Sequence, residues 1–71
     1  MYIYVVHEEN EIICARATIE QAIAACMTRL VICEYSFIGI ERNENFTEVH
    51  YQTSDGAHTM YIEETFFKNG I

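Results

Sequence analysis

From Thr18 to about Leu30 the apolar residues of this chain recur every three to four positions, whereas after Tyr35 they alternate by two. That contrast constrains the fold more than any other feature. A 3.6-residue stripe forms one face of a helix, and a two-residue alternation forms one face of a strand. Ile19, Ala22, Ile23, Cys26 and Leu30 make the stripe. Thr18 stands where an N-cap hydroxyl is needed, and Gln21, three residues on, completes a capping box. Glu20 lies near the positive end of the helix dipole and Arg29 near its negative end, both favourable placements. The run Leu30-Val31-Ile32-Cys33 fits either a prolonged helix or its exit, since no glycine marks the boundary.

On either side the pattern is extended. Tyr2-Ile3-Tyr4-Val5-Val6 is β-branched and aromatic on both alternating sets, which suits a strand inside a sheet. Ile12-Ile13-Cys14-Ala15 resumes that pattern after Glu8-Glu9-Asn10, so the two segments read as a hairpin of unspecified turn type. Tyr35 to Arg42, Phe46 to Thr53 and Thr59 to Phe67 are three further strands, separated by Asn43-Glu44-Asn45 and Ser54-Asp55-Gly56-Ala57. Asp55-Gly56 is the stronger turn signal, because it readily adopts the positive φ that tight hairpins require. The expected architecture is α+β: one helix on one face of a four- to five-stranded, mostly antiparallel sheet, in the order ββαβββ, with residues 1–71 a single domain.

One helix leaves the other face of the sheet open. If Ile38, Ile40, Val49, Tyr51, Met60 and Ile62 face the helix, alternation sends Tyr35, Phe37, Phe46, Glu48, His50, Tyr61 and Glu63 to the opposite side. Rings and carboxylates would then share that face. Rings of this kind are enriched at interface cores, although cross-strand aromatic pairs also serve simply to stiffen a solvated sheet.

Charge narrows the partners. Eleven acidic residues oppose four basic ones, for a formal charge of −7, and residues 34–71 carry most of the excess. Such a surface disfavours nucleic acid and anionic membranes, and it favours a protein partner with a basic surface. Cys14, Cys26 and Cys33 are an odd number without a CxxC pair, so three free thiols are expected, at least two of them protected. With no apolar leader or membrane-length run, the reading is a cytoplasmic protein.

No pattern specifies catalysis. Glu48, Glu63 and Glu64 offer carboxylates for an acid and base pair, but that chemistry needs a cleft that separates two pKa values. His7, His50 and His58 lack the close ligand spacing of zinc sites, so neither a metal nor another cofactor is expected. Cys14 lies nearest to a helix N-terminus, yet its apolar neighbours suit a packed thiol better than an activated one. Phosphate-cradling glycine motifs are absent. The chain reads as a non-enzymatic binding protein.

Met1-Tyr2-Ile3-Tyr4-Val5-Val6, Ala17-Thr18-Ile19-Glu20-Gln21-Ala22 and Tyr61-Ile62-Glu63-Glu64 together give the chain a layout that resembles small uncharacterised proteins of bacteriophage and mobile-element genomes. That resemblance implies an inhibitor of a host or defence protein, anti-CRISPR-like in occupying a basic surface. The partner-binding residues expected on this reading are Tyr35, Phe37, Glu41, Glu44, Glu48, Tyr61 and Glu63. The alternative is a small homo-oligomeric structural or ligand-sensing domain, a homodimer through the aromatic face or an unpaired edge strand.

Overall fold

A computed structural model of the protein describes residues 1–66. Its elements are β1 (Tyr2–Glu8), β2 (Glu11–Arg16), α1 (Ile19–Cys33), β3 (Ser36–Arg42), β4 (Phe46–Thr53) and β5 (Gly56–Phe66). The strands form one five-stranded sheet in the order β2-β1-β5-β4-β3, antiparallel throughout, with α1 packed on one face. The α+β layout expected from the periodicities is therefore the one observed. The end of the last expected strand, Phe67, lies outside the described residues. Among those residues no helix is long and apolar enough to cross a membrane.

Local chemistry explains the boundaries. Thr18 has extended backbone angles, and its Oγ1 accepts a hydrogen bond from the Gln21 N–H at 3.1 Å, the forward half of the expected capping box. The helix runs through Val31 and Ile32 to Cys33, which resolves the ambiguous run in favour of helix. It stops at Glu34, which adopts the left-handed conformation with φ 59°. The Tyr35 N–H then folds back to donate to the Leu30 carbonyl at 2.9 Å, satisfying one of the carbonyls a helix end leaves free. The hairpin between β1 and β2 turns on Glu9 and Asn10, both at positive φ (49° and 70°), the geometry of a type I′ turn. In the β4–β5 hairpin, Ser54 and Asp55 make the bend and Gly56 opens β5 at φ 129°. The glycine is required, but one position later than an Asp-Gly central pair would put it.

The core lies between α1 and the middle of the sheet. Val6, Val49, Tyr51, Met60 and Ile62 from β1, β4 and β5 bury against Ala22, Cys26 and Leu30, with Ile19, Ile23 and Met27 packed at its margin. A helix is about 10 Å across, whereas five strands at about 4.8 Å spacing span roughly 20 Å. The outermost strands consequently stay uncovered. Ile40 pairs with the fully buried Val49, yet 41% of its surface remains exposed.

β3 also departs from strict alternation. Its register with β4 shifts between Phe37 and Gly39, so Ile38 is an extra, unpaired residue and is 55% exposed. Phe37 pairs with Tyr51, and directly opposed residues share a face. Phe37 thus lies on the helix side, contrary to the expectation from simple alternation. Tyr35 goes the same way, its ring stacked on Tyr51 with centroids 5.3 Å apart. A second shift, between Val6 and His7, leaves Ile13 unpaired on β2 and packed against the core.

Of the three free cysteines, Cys26 is buried while Cys14, packed against the core, and Cys33 are half-buried. Burial pushes the Cys26 thiol up to about 11, so at neutral pH it stays protonated and packs as a small apolar group.

One polar knot ties the layers together. Arg29 on α1 donates through Nη2 to Glu8 Oε1 at 2.7 Å, and the Tyr51 hydroxyl on β4 donates to Glu8 Oε2 at 2.8 Å. Arg29 therefore serves a carboxylate at the end of β1 and is not placed in the last turn of the helix. The Arg29 hydrogen bonds hold the Glu8 carboxyl below its ordinary range, helped by that from Tyr51 and opposed by burial. Burial, followed by the bond to Glu8, pushes the Tyr51 hydroxyl far above its ordinary value, which keeps it a donor.

Two predictions follow from these features. Glu34→Gly should stabilise the fold by about 0.5–1 kcal/mol, because glycine occupies the left-handed region without a Cβ penalty. The gain would be read as a higher urea midpoint at unchanged slope. Glu8→Gln should destabilise by about 1–2 kcal/mol at neutral pH, a modest figure because 35% of the Arg29 side chain is in contact with water. Since the folded-state value of Glu8 is depressed, its contribution is fully present above the unfolded value and disappears as pH falls through the folded one. The difference between wild type and variant should accordingly shrink in acid below the ordinary glutamate range, measured by urea denaturation across pH.

Candidate functional site on the open sheet face

Strand register defines the face that α1 leaves bare. Pairing carries one set of side chains across the sheet: Ile12 and Ala15 on β2, Val5 and His7 on β1, Tyr61 and Glu63 on β5, Phe46, Glu48 and His50 on β4, Glu41 on β3. Four of the expected partner-binding residues, Glu41, Glu48, Tyr61 and Glu63, meet here. Tyr35 and Phe37 are on the helix side, as described above. Glu44 lies in the β3–β4 turn, exposed, beside a small cleft that reaches toward Tyr4 and Ile19. Glu63 and Glu64, adjacent in sequence, point to opposite faces; Glu64 accepts a hydrogen bond from the Tyr4 hydroxyl at 3.3 Å.

Two features stand out. The first is a shallow groove of about 520 Å³ lined by His7, Asn10, Phe46, Tyr61 and Glu63. The Phe46 and Tyr61 rings lie 6.1 Å apart and tilted by 52°, forming an apolar wall, with 39% and 45% of the two residues' surface exposed. His7 Nε2 is shut off from solvent and has no hydrogen-bond partner among the described residues. A buried polar nitrogen in that condition is a standing cost to the fold. The groove is thus apolar along one side, with the Glu63 carboxylate at its margin.

The second is a cluster at the β3–β4 end. Glu41 and Glu48 are directly opposed across the strand pair, so two carboxylates share one face at close range. His50, two residues along β4, turns its Nε2 toward both, 3.6 Å from Glu41 Oε2 and 3.5 Å from Glu48 Oε2. On its other side the His50 Nδ1 lies 2.9 Å from Thr59 Oγ1, and Asn43 Nδ2 donates to Glu48 Oε1 at 3.2 Å. Sequence spacing gave no sign of this cluster. Ligand-spacing rules look along one segment, whereas Glu41 comes from the neighbouring strand and is brought opposite Glu48 by the β3–β4 hairpin register.

Compared with protein-family models, curated proteins and solved structures, the chain matches none of them.

Like charges directly opposed on a sheet repel. In metal-free protein at low salt, Glu41→Gln should therefore raise stability by about 0.2–1 kcal/mol. Added salt should erase the gain by screening. Urea denaturation of both proteins at two ionic strengths checks this; a loss in the variant would instead mean that Glu41 makes a net favourable contact in the cluster.

Proposed function

We propose that the protein is a non-enzymatic binding module that docks a basic protein surface against the open face of its sheet. The observation that carries this reading is the groove: the Phe46 and Tyr61 rings beside the Glu63 carboxylate suit a guanidinium or ammonium side chain. Aromatic faces attract such cations, and a nearby carboxylate completes the recognition of an arginine. Glu41, Glu48 and Glu63 surround the rings with negative potential, and the chain as a whole carries a formal charge of −7. That potential speeds encounter with a basic partner, while the rings supply desolvated anchors that slow release. A protein that covers a basic groove in this way would act as an inhibitor of whatever that groove binds, in keeping with a phage-type antagonist of a host or defence protein.

A specific observation favours a second reading, self-association. β3 is an edge strand whose outer side has no partner strand among the described residues; Phe37, Ile38 and Ile40 are 46%, 55% and 41% exposed, and no charge or proline falls between Tyr35 and Ile40. Edges of that kind pair readily with a second copy. Sedimentation at micromolar concentration separates the two: a dimer abolished by Ile38→Lys supports edge pairing, and a monomer supports the heterologous partner.

The docking reading is tested by capturing the partner from a bacterial lysate and following binding in chelator-treated buffer. Glu48→Lys with Glu63→Lys should slow association at least tenfold, and the wild-type rate should fall with salt. Tyr61→Ala should leave association nearly unchanged and speed dissociation. Affinity indifferent to salt and to the double reversal would place the contact elsewhere.

A further inference from the structure

We propose that Glu41, Glu48 and His50 form a binding site for a divalent first-row transition-metal ion of the zinc and cobalt kind. This inference does not rest on the docking reading above, although Glu41 and Glu48 contribute charge to both; its ligands lie outside the aromatic groove.

One donor atom from each of Glu41, Glu48 and His50 lies within 4.8 Å of the other two. Ligands held at about 2.0–2.1 Å around a tetrahedral ion are roughly 3.3–3.4 Å apart. The two edges that include His50, at 3.5 and 3.6 Å, are already close to that spacing. The remaining edge closes by rotation of Glu41, whose side chain is 65% exposed and free to swing. The less mobile members are the inner ones, Glu48 and His50, both half-buried on β4.

Each of those inner ligands has a partner on the side facing away from the cluster. When Nδ1–H donates to Thr59 Oγ1, His50 Nε2 carries its lone pair toward the two carboxylates. Metal-bound imidazoles are oriented in the same way, by a hydrogen bond from the other ring nitrogen. Asn43 occupies Glu48 Oε1 and leaves Oε2 for the cluster. In that tautomer the three atoms converging on one point are all electron-rich, and a cation between them removes their mutual repulsion. Gly39, the residue opposite His50, carries no side chain and has open space where a Cβ would be, so an ion reaches the ring from solvent.

The donor set selects the ion class. Ca²⁺ takes six to eight oxygens and Mg²⁺ near-ideal octahedral oxygen geometry, whereas one imidazole with two carboxylates suits zinc, cobalt or manganese. Three protein ligands leave at least one position for water or for a donor from a partner.

The test uses the full chain, stripped of metal by chelation and titrated with Co²⁺. A saturable one-to-one complex is expected, with weak visible bands and no near-ultraviolet thiolate absorption, since Cys14, Cys26 and Cys33 take no part. Zn²⁺ should displace Co²⁺, and Mg²⁺ or Ca²⁺ at equal concentration should not. Glu41→Gln, at an exposed position that leaves folding intact, should weaken binding at least tenfold, as should His50→Gln. His58→Gln, beside Glu9 at 3.6 Å, should leave affinity unchanged. With Mn²⁺ as a paramagnetic probe, amide broadening should centre on residues 39–41, 48–50 and 59. Failure to saturate, thiolate bands, broadening centred on Glu9 and His58, full competition by Mg²⁺, or unchanged affinity in Glu41→Gln would each overturn the proposal.

Discussion

One helix has to cover a sheet about twice its width, and most of the structure follows from that mismatch. The connection from β2 to β3 carries α1 from one edge of the sheet to the other, so its apolar stripe meets the middle strands. Val6, Val49, Met60 and Ile62 are buried for that reason, and Ile40, on the same side of the sheet, is not. With so little apolar area to seal, the fold relies on a polar clamp as well. Glu8 receives Arg29 from the helix and Tyr51 from β4, linking β1, β4 and α1 through one carboxylate. Nearby, Tyr51 is sandwiched between the rings of Tyr35 and His58, at 5.3 and 5.7 Å. Stacking of this kind adds rigidity at the end of the sheet where the helix terminates.

The same mismatch creates the surface available for function. A second helix would have hidden the open face; without one, rings, carboxylates and imidazoles are displayed on five strands whose backbone is already rigid. Side chains on such a scaffold hold their spacing better than side chains on loops. The groove around Phe46 and Tyr61 and the cluster of Glu41, Glu48 and His50 occupy neighbouring parts of that face, joined by the cross-strand pair of Glu48 and Tyr61. An ion held by the cluster would reduce the negative potential beside the groove, so metal supply and docking of a basic partner would influence each other.

How far a site can be read from sequence depends on whether it lies along one segment or across several. Tyr61 and Glu63 stand two apart on one strand, so alternation alone puts them on one face, and Glu48 and His50 share a face for the same reason. Phe37 and Tyr35 were assigned to the open face by the same rule. The rule failed there because Ile38 is a bulge, and one extra residue reverses the faces of everything before it. No residue type marks that bulge in advance; Gly39 hints at irregularity without saying which residue is extra.

The sequence by itself determined the element order, the helix start at Thr18 and the division into a hairpin and a meander, because these rest on local periodicity and capping. The tertiary structure alone decided the strand order, which inserts β5 between β1 and β4, and the register that brings Glu41 opposite Glu48 beside His50. It also decided the partner of Arg29, a carboxylate twenty-one residues away. Local signals act within a turn or a strand pair; pairings between distant segments are chosen by the packing of the whole core, and the residues they bring together carry no mark of it in their own neighbourhoods.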